Sequence, residues 1–147
     1  MSTEAPAHRG PVVLDTGIFA AELVRSGAVL AELYRPVLEG RPFVITSTTA
    51  ADVRFGAELA GGGPARHARL EQRIARSRIV WPGPELIDVY VKLRVQCIRS
   101  GHPLGQKRHE ADRWIAATAM WLGVPLVAHD RIFPDVAGLD LLTQLGR

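Results

Sequence analysis

The chain has 147 residues and a formal net charge of +3, is 47% hydrophobic and 22% charged, and contains one cysteine. That length suits a single domain with a proper core, and the lone Cys97 excludes an internal disulfide while being compatible with a reducing compartment. Met1 to Gly10 holds no apolar stretch of a signal peptide, and the longest apolar run, Trp114 to Ala128, is broken at Gly123 and Pro125, short of the ~20 residues that span a bilayer.

A soluble cytoplasmic protein with no membrane partner is the expectation, and the basic balance mildly favours a polyanionic one. Residues 1–10 mix small, polar and proline residues and are expected to be disordered, with residues 11–147 forming one domain. Pro11 to Leu14 reads as the first strand and Ile18 to Val24 as a short helix broken at Ser26-Gly27. Ala28 to Leu38 carries Val29, Leu30, Leu33 and Val37 at helical spacing, with Gly40 suited to close it.

Pro42 to Thr46 reads as the second strand, and Ser47 with the two threonines after it opens a helix that Gly61-Gly62-Gly63 ends. Pro64 begins another helix to about Ser77, followed by a short apolar strand, Ile79-Val80-Trp81. Pro84 opens a long helix to about Ser100, with Leu86, Val89, Leu93 and Cys97 three or four apart. Gly101 to Arg108 is a polar loop, Glu110 to Leu122 a helix capped by Gly123, and Pro125 to Ala128 a strand. A helical turn around Arg131 to Val136 and an edge strand at Leu139 to Leu142 complete the chain. Strands alternating with helices of ten or more residues imply βαβ units: a three-layer α/β/α fold around a mostly parallel sheet.

In open α/β sheets, ligands sit outside the carboxyl ends of the strands. Asp15 ends Val12-Val13-Leu14 and Asp130 ends Leu126-Val127-Ala128-His129, so both belong on that edge. Asp52 lies in the first turn of the helix after the second strand, which starts at the same edge. Asp112 begins a helix that leads into a strand, so it reaches the edge only if the loop Gly101–Arg108 first carries the chain there.

Carboxylates packed together repel, and each is costly to desolvate without a counter-charge. A divalent cation resolves this, and all-oxygen ligands favour Mg2+ or Mn2+ over zinc. Each acid also has a bland reading. Asp15 can cap the helix at Ile18, Asp52 and Asp112 suit a helix's first turn, and Asp130 can be a surface turn acid. Joint placement at strand ends and helix starts argues against coincidence.

Four segments, Val13-Leu14-Asp15-Thr16, Thr48 to Ala57 with Asp52-Val53-Arg54-Phe55-Gly56 inside it, Asp112 to Ala119, and Pro125 to Phe133, resemble in order and spacing the PIN-domain proteins, most closely the VapC-type toxins of bacterial toxin–antitoxin pairs. The resemblance implies a PIN-like three-layer fold and metal-dependent endoribonuclease activity on RNA. It implies catalytic Asp15, Asp52, Asp112 and Asp130, with Asp15, Asp112 and Asp130 as ligands of Mg2+ or Mn2+. It also implies a small VapB-type antitoxin that blocks the site, and a homodimer. Two positions depart from the family pattern: Asp52 stands where Glu is common, and Gly17 where a small polar residue is usual.

Near these acids, Thr16 is placed to orient a carboxylate or water, and His129 to contact phosphate. Arg54, Lys107, Arg108, Arg113 and Arg131 are placed to bind RNA phosphates, giving affinity without sequence information. For each of them a packed or merely solvated role is the alternative. A non-catalytic PIN-like binding domain is the runner-up function. Asp15-Thr16-Gly17 matches the aspartic-protease triplet, but that chemistry needs two such aspartates and an all-β chain. A haloacid-dehalogenase-type phosphatase wants an acid where Gly17 stands. A receiver-like signalling domain lacks its strand-end lysine, since Lys92 and Lys107 fall in a helix and a loop.

Overall fold

A computed structural model describes residues 9–146. Most of the segment expected to be disordered, residues 1–8, lies outside the described residues. Its last two residues are tied down. Arg9 Nη1 donates to the Pro36 and Glu39 carbonyls at 2.8 and 3.2 Å, and Arg41 Nη1 donates to the Gly10 carbonyl at 3.3 Å.

β1 (Val12–Leu14) is an uninterrupted apolar run, as a strand buried on both faces must be, and all three residues have 0% exposure. It sits at the centre of a sheet of order β3-β2-β1-β4-β5, with β2 at Phe43–Thr46, β3 at Arg78–Val80, β4 at Leu126–Val127 and β5 at Leu141–Leu142. Every pairing is parallel, so all five carboxyl ends share one edge. The pairs Val13↔Val44 and Leu14↔Val127 fix the register there.

Successive residues of β1 face opposite sides, and two cores follow. Val12 and Leu14 pack with Ile18 and Phe19 of α1 (Thr16–Ala21), Tyr34 and Leu38 of α2 (Ala28–Leu38), Ala50 of α3 (Ser47–Ala60) and Leu70 and Ile74 of α4 (Pro64–Ala75). Val13 packs with Leu86, Leu93 and Cys97 of α5 (Pro84–Ser100) and Ile115 and Ala119 of α6 (Glu110–Leu122). This is the expected three-layer arrangement. Gly27 is required where α1 meets α2, because a Cβ there would lie 2.2 Å from the Ala21 carbonyl oxygen.

α5 and α6 form an antiparallel hairpin. Trp121 Nε1, late in α6, donates to Glu85 Oε2, early in α5, at 3.3 Å, while Tyr90 and Trp114 stack at 3.9 Å nearer the other end. The connection contains two 3-10 turns, Pro103–Gly105 and Lys107–His109. No helix among the described residues is long and apolar enough to cross a membrane.

Local boundaries differ from expectation where side-chain bonding overrides periodicity. α1 begins at Thr16, two residues early, because Asp15 caps it. β3 starts at Arg78 and leaves Trp81 outside, 72% exposed. Residues 131–136 form turns rather than a helix, with Phe133 N donating to the Asp130 carbonyl at 3.4 Å. Asp130 Oδ1 accepts from Ile132 N at 3.0 Å, and Asp135 takes a left-handed φ of 67°.

Candidate metal centre

Asp15 is delivered by the end of β1. Its N–H donates to the Val127 carbonyl at 3.1 Å, locking it to the end of β4, and its Oδ1 accepts from Ile18 N at 2.8 Å. The carboxyl is only 7% exposed. Burial raises its pKa; the Ile18 N–H opposes this, and repulsion from Asp130 and then Asp112 adds to it, leaving a value of about 6. Asp15 therefore caps α1 and also feels the charges of two other carboxylates.

The repulsion locates the other two acids. Asp112 adds to the field at Asp15, which places the first turn of α6 at the carboxyl edge and meets the demand made of the Gly101–Arg108 loop. Asp112 Oδ2 takes a hydrogen bond from His109 Nδ1 at 3.0 Å. Asp130 is exposed and is held through Ile132 N.

Asp52 is different. Because Thr46 caps α3 and the helix starts at Ser47, Asp52 falls beyond the first turn where it was expected; it is exposed and is not among the charges that act on Asp15. It lines instead, with Thr16, Leu23, Val24, Val53 and Leu70, a cleft of ≈ 250 Å³ between α1, α3 and α4. Of the expected acids, Asp130 and Asp112 act on Asp15, and Asp52 does not.

Threonines fill the space between β1 and α3. Thr16 Oγ1 and Thr49 Oγ1 are 2.9 Å apart, Thr46 Oγ1 accepts from Thr49 N at 3.0 Å, and Thr46 Oγ1 donates to Thr49 Oγ1 at 3.2 Å. Thr16 is thus held in place beside Asp15. Gly17 leaves ordinary room at this point, since a Cβ there would meet Asp15 Oδ1 at 3.7 Å.

Arg113, expected at the substrate, is a correction. It is 1% exposed and its guanidinium donates to Tyr90 Oη at 3.0 Å, to the Leu104 carbonyl at 3.1 Å and to the Gln106 carbonyl. A fork of donors turned inward on loop carbonyls cannot meet a phosphate. Arg54 is exposed but engaged with Glu71, with Nε and Nη2 each 3.0 Å from a carboxylate oxygen. Lys107, Arg108 and Arg131 are exposed. Trp114 lies on Tyr90, a packing role.

Sequence reasoning missed His109, Tyr34 and Thr49. His109 sits three residues before Asp112, a spacing that could have been noticed. Tyr34 meets His129 across 95 positions of chain, at 2.8 Å, and no local pattern signals it.

As placed, no three His, Cys, Asp or Glu side chains among the described residues are close enough to form a metal cage. The donor chemistry nevertheless fits a hard cation. Mg2+ keeps several waters and takes one or two direct carboxylates rather than a closed protein cage, and a carboxyl raised first by burial and then by its neighbours' charge is what a cation would relieve.

No curated protein sequence matches the chain. Solved structures do. The structure of VapBC2 from Rickettsia felis bound to a DNA fragment from their promoter superposes with a TM-score of 0.72 at 18% identity, covering 90% of this chain and 97% of that one. FitAcB from Neisseria gonorrhoeae gives 0.71 at 24% identity, covering 89% and 96%. DNA-bound VapBC from Salmonella typhimurium gives 0.70 at 22%, covering 92% and 98%. At these identities the likeness speaks for the fold. The family model described as PIN domain matches residues 12–139, a span that begins with the strand delivering Asp15 and includes Asp52, Asp112 and Asp130. On that match, with the parallel sheet and the acids at its carboxyl edge, the chain belongs to the PIN-domain family.

Proposed function

We propose that this protein is a Mg2+-dependent endoribonuclease, the toxin of a VapBC-type pair, with Mn2+ able to substitute. The observation that supports the reading is Asp15, buried at the end of β1 and raised to about 6 by burial and by the charges of Asp130 and Asp112. Asp15, Asp112 and Asp130 would hold the metal. When bound, the ion supplies a polarised water and neutralises charge on a phosphate oxygen.

The protein's own part is to hold the acids. Asp15 is fixed by Ile18 N, Asp112 by His109 and Asp130 by Ile132 N. Thr16, held by Thr49, orients a carboxylate or water beside Asp15. Asp52, on the cleft side, acts through water. Lys107, Arg108 and Arg131 attract the RNA backbone.

The VapBC complexes among the similar structures support a small VapB-type antitoxin as partner. It would seat on the cleft of Leu23, Val24, Val53 and Leu70, which also includes Asp52. A homodimer agrees with Ile87, Val91, Val95 and Ile98, which recur every three or four residues along α5 and are exposed.

The test is cleavage of structured RNAs by purified protein with Mg2+ or Mn2+ against a chelator control. Asp15→Asn and Asp112→Asn are each expected to lose at least about a hundredfold, the scale on which removing a group that stabilises the transition state acts. Equal cleavage by the wild type and both variants would identify a contaminant and overturn the reading.

A further inference from the structure

We infer that His129 is the residue by which this site distinguishes ribose from deoxyribose, its Nε2 accepting a hydrogen bond from a 2′-hydroxyl, with Tyr34 as the positioning residue that leaves Nε2 an acceptor. The inference rests on the nuclease reading above and adds to it the group that is recognised and the atom that recognises it.

Tyr34 has 0% exposure, and its hydroxyl ties α2 to the carboxyl ends of β4 and β5. A phenol has one proton to give and two lone pairs. Four groups surround this one. Gln144 N lies at 2.7 Å and can only donate; the Ala128 carbonyl lies at 3.1 Å and can only accept. His129 Nδ1 lies at 2.8 Å and Thr143 Oγ1 at 3.2 Å.

The Ala128 carbonyl is buried with its residue, and among the described residues no backbone N–H reaches it. It therefore takes the phenol proton, since an unpaired buried carbonyl is costly. One lone pair is filled by Gln144 N. The other is left for the nearer of the two remaining groups, His129, and can be filled only by an Nδ1–H. The neutral ring is then the Nδ1–H tautomer, and Nε2 carries a lone pair. The rings meet edge to face, 5.5 Å apart at 80°, which fixes the orientation of the imidazole.

His129 is exposed and adjoins Asp130, one of the acids acting on Asp15. An acceptor at this place repels a phosphate oxygen and invites a hydroxyl. Hydrolysis by metal-activated water makes no chemical use of the 2′-hydroxyl, so a preference for RNA must come from a contact of this kind.

The experiment uses the full chain. A long-range proton–nitrogen correlation spectrum of the neutral ring reads the tautomer without any activity. Affinities in chelator are measured for a single-stranded RNA decamer and for the same sequence carrying 2′-fluoro sugars, which keep the ribose pucker but cannot donate. Wild type is expected to show the Nδ1–H tautomer and to prefer the ribose form by about two- to tenfold, the worth of one neutral hydrogen bond. His129→Ala, at an exposed position that should fold, is expected to bind both forms equally. Tyr34→Phe is expected to lose the tautomer bias and most of the preference. An Nε2–H tautomer, equal binding of both forms by wild type, or a preference that survives His129→Ala overturns the inference; so does a change in affinity on altering the bases with none on altering the sugars. Loss of metal-dependent cleavage with the ribose preference intact would count against the nuclease reading alone.

Discussion

Asp15 caps a helix and faces two other carboxylates at once, and its titration reports the conflict. The folded carboxyl keeps its proton up to about pH 6, whereas an aspartate in the unfolded chain releases it near 3.8. Between those values the unfolded chain binds fewer protons, so stability is present at low pH and is lost as pH rises through about 6. The loss amounts to about 3 kcal/mol at most for a shift of this size. Asp15→Asn keeps an oxygen for Ile18 N but cannot ionise. In chelator, its melting temperature relative to wild type is expected to climb between about pH 4 and pH 7, by up to roughly 10 °C. A difference that stays flat across that range would show that Asp15 ionises as a free aspartate does.

At the scale of elements, the connection between α5 and α6 decides where Asp112 lies. The chain leaves α5 at Gly101, passes through two 3-10 turns and starts α6 with Asp112 close enough to raise Asp15. Arg113 holds that path from inside by bonding the Leu104 and Gln106 carbonyls and Tyr90. Arg113→Lys keeps the charge but not the planar fork. It is expected to cost about 3 kcal/mol or more in urea unfolding, as breaking a buried charged network does. It should also open the loop to trypsin at Lys107 and Arg108. Unchanged stability and protection would show that the loop holds itself without Arg113.

At the scale of the whole molecule, a purely parallel sheet of order β3-β2-β1-β4-β5 puts Asp15 and Asp130 at the ends of neighbouring strands, while the α5–α6 hairpin brings Asp112 back to them. Metal binding to the folded state alone should then appear as stability. Mg2+ or Mn2+ at about a hundred times its dissociation constant adds about 2.7 kcal/mol. Wild-type melting temperature is expected to rise accordingly, and that of Asp15→Asn and Asp112→Asn to rise much less. An equal rise in all three would place the metal elsewhere.

By itself the sequence determined the strands and helices with apolar periodicity and the parallel α/β class. Burial on one or both faces writes itself into local spacing, and Val12-Val13-Leu14 followed by Asp15 shows it plainly. That Asp15 follows a strand and Asp112 opens a helix was legible for the same reason: strand ends and helix starts are local features. The tertiary structure alone decided which acids meet. Asp112 sits in the first turn of α6, whereas Asp52 lies beyond the first turn of α3, and only Asp112 acts on Asp15; the direction of α6 is set by the hairpin rather than by its own residues. It also decided that Arg113 points inward while Lys107 and Arg108 stay in solvent, and that Tyr34 reaches His129. Such pairings depend on distances across the fold, which spacing along the chain does not encode.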